Sequence, residues 1–544
     1  MRILVAQLNP IVGDLEGNTQ KIIQTLDRAR AQAADIVLFS ELVLCGYPPE
    51  DLLLHPSFID AQEKYLEKII RASARLMVFV GFVRRNSSKG EKPIFNSVAV
   101  IHDGKLLGFQ DKQLLPTYDV FDERRYFESG ATSHIWELKG KKIGVLICED
   151  IWQHAGYVGQ TRYAHDPVLD LSSLKPDLVL NLSASPYQFQ KPDMRVKVCE
   201  KCAKTLHCPV ILCCQVGAND QLVFDGYSVY ADAEGHLRQM AKGFEEDEMI
   251  VDLEAPACPC PFVYDPIKDL YQALVIGVRD YLHKSGFKKG CLGLSGGIDS
   301  ALVACIAVDA LGKENVLAIT MPSRYSSKGS VADSEKLAHH LGIELLQIPI
   351  EAPFQSFLNL TQPFFQGKAP DSTEENLQAW IRGTILMAIS NKFGHIVLST
   401  GNKSEMGMGY CTLYGDMCGG LGVISDVTKQ QVYTLCRWLN RDGEVIPQSI
   451  IDKVPSAELK PNQKDTDSLP EYEVVDKVLQ GYVEEYLSPE EIAQKYDLPV
   501  EVAIDLVRRI HRAEYKRRQS APGIRVSKKA FRVGRRYPIV QGWV

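Results

Sequence analysis

The chain has 544 residues, 45% of them hydrophobic and 24% charged, with a formal net charge of −7. It is longer than one hydrophobic core normally organises, so two domains are expected, and its negative balance gives no reason to expect nucleic acid as a partner. No uninterrupted apolar run approaches the roughly 18 residues that span a bilayer, and 14 cysteines in so long a chain do not make a disulfide scaffold. A soluble, cytoplasmic protein without a membrane partner is predicted.

The opening MRILVAQLNP reads as a strand and lacks the charged-then-apolar layout of a signal peptide. Short apolar runs follow at 36–39, 76–80, 97–101, 143–147, 178–182 and 210–213. Residues 17–33 carry Ile22, Ile23, Leu26, Ala29 and Ala33 at helical spacing. This alternation predicts an α/β layer architecture over residues 1–253. Cys199 and Cys202 fall in a helical pattern, MRVKVCEKCAKTL, without a second ligand pair, so zinc is not expected there. The proline-rich stretch EAPACPCPFVYDP at 254–266 breaks both periodicities and reads as a linker.

Over 267–544 the order is helix 267–285, strand 291–294, a glycine-rich turn and a helix. Then come strand 316–320, helix 331–341, strand 345–349, helix 374–392 and strand 396–400. This predicts a second, doubly wound parallel-sheet domain. The last stretch is helical (471–487, 489–495, 500–518) and ends in a basic extension with Lys516, Arg517, Arg518, Lys528, Lys529, Arg532, Arg535 and Arg536. A solvated terminus and a holder of phosphates or of a neighbouring subunit are both open readings of that extension.

Three segments of the first half place a polar residue at the end of an apolar strand: VLFSELVLCGYPPEDLL around Glu41, FQDKQLLPTYDVFDERRYF around Lys112, and IGVLICEDIW around Cys148. A cysteine attacks an amide as the thiolate, and a carboxylate can take its proton and return it to the leaving amine. An ammonium can stabilise the oxyanion. Singly, each residue has a plain alternative: core filling for Cys148, a helix-terminal charge for Glu41, a surface position for Lys112. Together, in this order and spacing, the segments resemble the nitrilase (carbon–nitrogen hydrolase) superfamily. The resemblance implies an α-β-β-α sandwich with Glu41 as general base, Lys112 as oxyanion stabiliser and Cys148 as nucleophile, with Glu123 as a supporting acid. It also implies glutamine contacts at Tyr118, Ser185 (in NLSASPY) and Lys191.

In the second half, GLSGGIDS (Gly293, Leu294, Ser295, Gly296, Gly297, Ile298, Asp299, Ser300) joins a strand to the helix ALVACIAVDAL. Glycines let backbone approach a phosphate, the serines offer hydroxyls, and the helix start supplies free amides. Asp299 in an anion site makes sense if it holds Mg2+. No G-K-[ST] occurs, which excludes a Walker-type loop.

SGGIDS matches the signature of the ATP pyrophosphatases, whose members include GMP, asparagine and NAD synthetases. MPSRYSS (321–327), ENLQAWIRG (375–383), LSTGNKSEMGMGYCTLYGDMCGG (398–420), DVTK (426–429), PSAELKPNQKDTDSLPEYEVVD (455–476) and EYKRRQ (514–519) resemble the NAD synthetases. With GYPPEDLL (46–53) and the nitrilase-like half, nearly the whole chain is similar to the glutamine-using form of that family. The resemblance implies a Rossmann-like second domain with ATP as co-substrate held by 293–300 and Thr400. It implies Mg2+ on Asp299 and Glu405, deamido-NAD contacts at Asn376, Glu405 and Lys516, and help from Lys429 with the triphosphate. Trp380 interrupts a charge pattern that the family often has after Asn376, while Arg382 keeps a charge.

The implied reaction has Cys148 free ammonia from glutamine and the second domain adenylate deamido-NAD, whose mixed anhydride ammonia then opens to give NAD+, AMP and pyrophosphate. Protonated ammonia is no nucleophile, so a sheltered passage is expected, and nitrilase-like halves suggest a homo-oligomer. The rivals are another amidotransferase of the same ATP superfamily, a plain amidase, and a binding protein built on these folds. They predict a different glutaminase type, a decayed phosphate loop, or loss of Cys148, Lys112 or Asp299.

Overall fold

The computed structural model describes residues 1–87, 90–157, 162–256, 258, 260–532 and 534–543. The chain divides into two compact units, Met1–Pro266 and Ile267–Val544. Among the described residues no helix is long and apolar enough to cross a membrane.

The first unit is built on two six-stranded sheets. One runs Asp247–Asp252, Arg2–Gln7, Ile36–Leu38, Met77–Arg85, Ile94–His102, Lys105–Asp111; the other runs Leu237–Met240, Val229–Ala231, Val210–Cys214, Leu178–Ser183, Lys141–Ile147, Ile135–Leu138. In each, the central strands are parallel and the outer ones antiparallel. Parallel strands buried on both faces read as unbroken apolar runs, which is why these strands were visible in the sequence. The antiparallel strands at 105–111, 135–138, 216–219, 222–225, 229–231, 237–240 and 247–252 were not foreseen, because they are short or carry polar residues on one face.

Ile3, Val5, Leu38, Phe79 and Val98 of one sheet share a core with Val145, Ile147, Leu180 and Ile211 of the other. The opposite face of the second sheet (Leu146, Val179, Leu212) packs with Val198, Cys199 and Cys202 of the helix Lys191–Leu206. Helices Leu15–Ala31 and Pro56–Ala72 pack on each other, and the latter lies against strand Met77–Arg85. Helix, sheet, sheet and helix make the four-layer sandwich. The segment read as a linker packs here as well: Phe262 stacks on Tyr264 and meets Tyr227 edge-on.

The second unit holds a five-stranded, wholly parallel sheet in the order Glu344–Gln347, Val316–Thr320, Gly290–Gly293, Ile396–Ser399, Leu421–Gly422. The chain starts in the middle and reverses direction beside the third strand, leaving a crevice at the carboxyl ends of Gly290–Gly293 and Ile396–Ser399. Helix Ser372–Phe393 is longer at both ends than expected, stopped by an Asp371–Glu374 capping box and by Gly394 in the left-handed conformation.

The charges of the C-terminal stretch divide: Arg518, Lys528, Arg532 and Arg536 are exposed, whereas Arg517, Lys529 and Arg535 are buried. The stretch breaks into Tyr472–Leu479, a π-helical turn Gln480–Glu484, Pro489–Tyr496, Val500–Arg512 and Glu514–Arg517. Arg517 is buried, donating to the carbonyls of Met406 and Gly407 (3.0 and 3.1 Å) and to Glu514 (2.8 Å). Arg535 donates to the same Glu514 at 2.5 Å and lies over the Tyr537 ring. Both cations are interior struts, and Arg517 ties the extension to helix Lys403–Met408.

Candidate active sites

In the first unit, strand Lys141–Ile147 ends directly on Cys148, which opens a 3-10 turn with φ +43°, a left-handed conformation uncommon for a side-chain-bearing residue. Asp150 holds that turn: its carboxylate accepts N–H groups from Ile147 (2.9 Å), Leu114 (2.8 Å) and Gln113 (3.1 Å). Lys112 follows strand Lys105–Asp111, and its backbone N–H donates to the Asn96 carbonyl at 2.8 Å. Its ammonium is buried and donates to Glu41 (2.6 Å) and Glu123 (2.7 Å). Glu41 also accepts Asn96 Nδ2 (2.8 Å) and the Ala184 N–H (3.0 Å), and the Tyr47 hydroxyl donates to Glu123 at 2.8 Å. Glu41, Lys112 and Cys148 therefore converge as expected from sequence, with Glu123 beside them.

Burial, with the adjacent Glu41 charge, holds the Cys148 thiol well above its ordinary range, so the resting group is a thiol. The Ser183 hydroxyl donates to its sulfur at 3.3 Å. Burial pushes Glu123 up to about 7, against the pull of Lys112. Lys112 stays charged because two carboxylates outweigh its desolvation.

Of the three residues tied to glutamine, the Tyr118 hydroxyl donates to both oxygens of Glu149, at 3.0 and 3.1 Å. Lys191 starts its helix, donating to the Pro186 carbonyl at 2.9 Å with its ammonium 5.3 Å from the centre of the Trp152 ring. Ser185 is buried one residue past Ala184. Sequence reasoning missed Glu149, which also accepts the Tyr163 hydroxyl at 3.1 Å, as well as Asn96, Asp150 and Ser183. The only local signal was adjacency, Glu149 and Asp150 following Cys148 in CED.

In the second unit a cavity of about 360 Å³ lies at the sheet's crevice, lined by residues 293–300, by Thr400, Glu405 and Lys429, and by Arg382 and Lys453. Gly296 has φ +74°, and a Cβ there would meet the Ser330 carbonyl at 2.2 Å, so the loop's close turn demands glycine. Ser295 and Ser300 share a hydroxyl–hydroxyl bond of 3.1 Å. Lys453 donates to the Gly296 carbonyl (2.9 Å), to Ser330 (3.2 Å) and to Asp333 (2.6 Å), pinning the loop from a segment about 150 residues away.

Asp299 contacts the Lys429 ammonium and accepts Asn402 Nδ2 at 2.8 Å; Glu405 lies 3.6 Å from the same ammonium. Burial and the Asp299 charge raise Glu405 to about 8. Two carboxylates sharing one lysine form a hard-oxygen set that fits a divalent cation whose other ligands are phosphate oxygens and water. Among the described residues no group of three metal-ligating side chains occurs.

Arg382 also lines this cavity, donating to the Met321 carbonyl at 3.1 Å, and Trp380 turns aside to the Leu413 carbonyl at 2.8 Å. Asn376 and Lys516 are not among the residues lining the cavity. Asn376 accepts the Thr412 hydroxyl at 2.7 Å, and Lys516 donates to the carbonyls of Gly409 (2.8 Å) and Cys411 (2.6 Å).

Residues 2–258 match the carbon-nitrogen hydrolase family model and residues 270–520 match the NAD synthase model. A glutamine-dependent NAD(+) synthetase of Synechocystis sp. is 47% identical over 99% of both chains, and one of Thermotoga maritima is 43% identical over 99% of this chain and 98% of its own. The solved structure of the Acinetobacter baumannii glutamine-dependent NAD+ synthetase in complex with ADP is 41% identical, covers 100% of this chain and 99% of its own, and superposes with a TM-score of 0.79. The chain belongs to the family of glutamine-dependent NAD(+) synthetases.

Proposed function

We propose that the chain amidates deamido-NAD to NAD+ with ATP, using ammonia that its first unit releases from glutamine. The observation that carries this reading is the presence in one chain of a buried thiol–carboxylate–ammonium cluster and of a glycine-rich phosphate loop opening on a cavity. Its full-length similarity to enzymes of that name supports it.

In the first unit, Glu41 takes the Cys148 proton as sulfur attacks the side-chain amide carbon, and the Lys112 ammonium faces the developing oxyanion. The proton passes to the nitrogen, the C–N bond breaks, and ammonia leaves a glutamyl thioester that water hydrolyses to glutamate. A thiol that is neutral at rest suits this, because proton and sulfur move together only when substrate is present. Glu149, held by Tyr118 and Tyr163, is the acceptor for the α-ammonium of glutamine, and Lys191 is the cation for its carboxylate.

In the second unit, the 293–300 loop and Thr400 hold ATP while the nicotinate carboxylate attacks the α-phosphorus and pyrophosphate leaves. Ammonia then attacks the acyl carbon and AMP departs. Asp299 and Glu405 would hold Mg2+, which supplies charge neutralisation on the phosphates. Asn376, Glu405 and Lys516 are the residues proposed to contact deamido-NAD, and Arg382, which lines the cavity, adds a cation beside them.

The test is NAD+ formation from deamido-NAD, Mg-ATP and glutamine by the unaltered chain and by Cys148→Ala. Activity lost with glutamine and restored by ammonium is expected. No NAD+ from the unaltered chain with either nitrogen source would sink the dinucleotide assignment.

A further inference from the structure

A carboxylate offers about four lone-pair sites, two on each oxygen. Around Glu41 three are filled. Oε1 accepts both Lys112 Nζ at 2.6 Å and Asn96 Nδ2 at 2.8 Å, and Oε2 accepts the Ala184 N–H at 3.0 Å. The Asn96 amide can face Glu41 only through its NH2, since its oxygen would meet an oxygen. Asn96 is 1% exposed and reaches the site from the middle strand of an antiparallel trio, Ile94–His102, whose neighbours pin its backbone. Its Oδ1 has no partner among the described residues. So buried an asparagine, with half its amide unmet, is costly unless the other half is needed.

We propose that Asn96 is a positioning residue which, with Lys112, occupies Oε1 of Glu41 and thereby assigns Oε2 as the oxygen that takes the Cys148 proton. The S–H pair stays on sulfur and forms the S–C bond while the proton moves to the fourth, open site on Oε2. That proton then goes to the amide nitrogen as the C–N bond breaks, and the Oε1 contacts stay unbroken throughout. The base therefore works without rotating, and a held carboxylate loses no time or energy to reorientation. This inference rests on the glutaminase reading given above.

The titratable groups that interact with Glu41 are Lys112, Glu123, Tyr47 and Cys148, so a change at Asn96 alters a defined electrostatic set. Asn96→Asp keeps the shape and sets a second carboxylate against Oε1; like charges that close do not both ionise. Asn96→Leu keeps the volume and removes the donor without adding charge.

The experiment follows glutamate release from glutamine against pH in the full chain, with the melting transition of the first unit showing that each variant is folded. Asn96→Asp should shift the acid limb of glutamate release upward by about one pH unit or more. Asn96→Leu, which takes a donor from the charged carboxylate, should lower kcat about tenfold and move the limb upward by less than Asn96→Asp does, with KM little changed. A wild-type pH profile and kcat in Asn96→Asp would overturn the positioning role. If Asn96→Asp fails to fold, an unchanged kcat in Asn96→Leu overturns it equally. Glu41→Gln separates the two claims: retained glutamate release there refutes Glu41 as the base, whatever Asn96 does.

Discussion

Replacing Asp150 with asparagine tests whether the turn that presents Cys148 is held by one carboxylate. Its oxygens accept three backbone N–H groups, from Gln113, Leu114 and Ile147. The best placement of an asparagine amide keeps its oxygen on Gln113 and Leu114 and turns its NH2 onto the Ile147 N–H. One buried donor is then left unpaired opposite another, which costs about 1–3 kcal/mol. At about 2–4 °C per kcal/mol for a unit of this size, the melting transition of the first unit should fall by roughly 4–8 °C for a mid-range loss. Ile147 immediately precedes Cys148, so the left-handed nucleophile turn loses its cap, and glutamine hydrolysis should drop about tenfold, the equivalent of about 1.4 kcal/mol in the transition state. Scanning calorimetry and glutamate release on the full chain measure both. An unmoved transition together with unchanged glutamate release would refute the idea that Asp150 sets this turn.

The remaining predictions concern the second unit. Because Glu405 sits at about 8, a cation must displace its proton at neutral pH, so Mg2+ affinity should rise with pH and level off above 8. Half-saturation at pH 7 should need about tenfold more Mg2+ than at pH 9, with a proton released on binding that calorimetry in buffers of different ionisation heat detects. Flat affinity across that range would show that Glu405 is not a ligand. Lys453→Met removes the cation that pins Gly296 and should raise the KM for ATP about tenfold while glutamate release holds, since a charged hydrogen bond contributes about 1.5–3 kcal/mol.

Much of the site was legible in the chain because its parts are local. Glu41 and Cys148 each stand just past an apolar run, and a strand end in a layered α/β fold faces a cleft, while Lys112 follows the mixed strand Lys105–Asp111 and was legible through its motif. SGGIDS carries its own instruction: a glycine that must take positive φ, two hydroxyls and a helix start within eight residues. Chain order likewise determined the parallel sheet of the second unit, because right-handed crossovers leave few alternatives to strand–helix alternation.

What waited for tertiary structure were the partners. Asn96 meets Glu41 across 55 positions, Glu149 meets Tyr118 across 31 and Lys453 meets Gly296 across 157. Nothing in the local spacing of those residues separates a buried hydrogen-bonding side chain from a solvated one. The basic C-terminus is the plainest case. Its composition suggested solvent, phosphate or a neighbouring subunit, yet Arg517 and Arg535 are buried on Glu514. Charge is a property of the residue, but whether it meets water or a carboxylate is decided by which distant segment the fold lays against it.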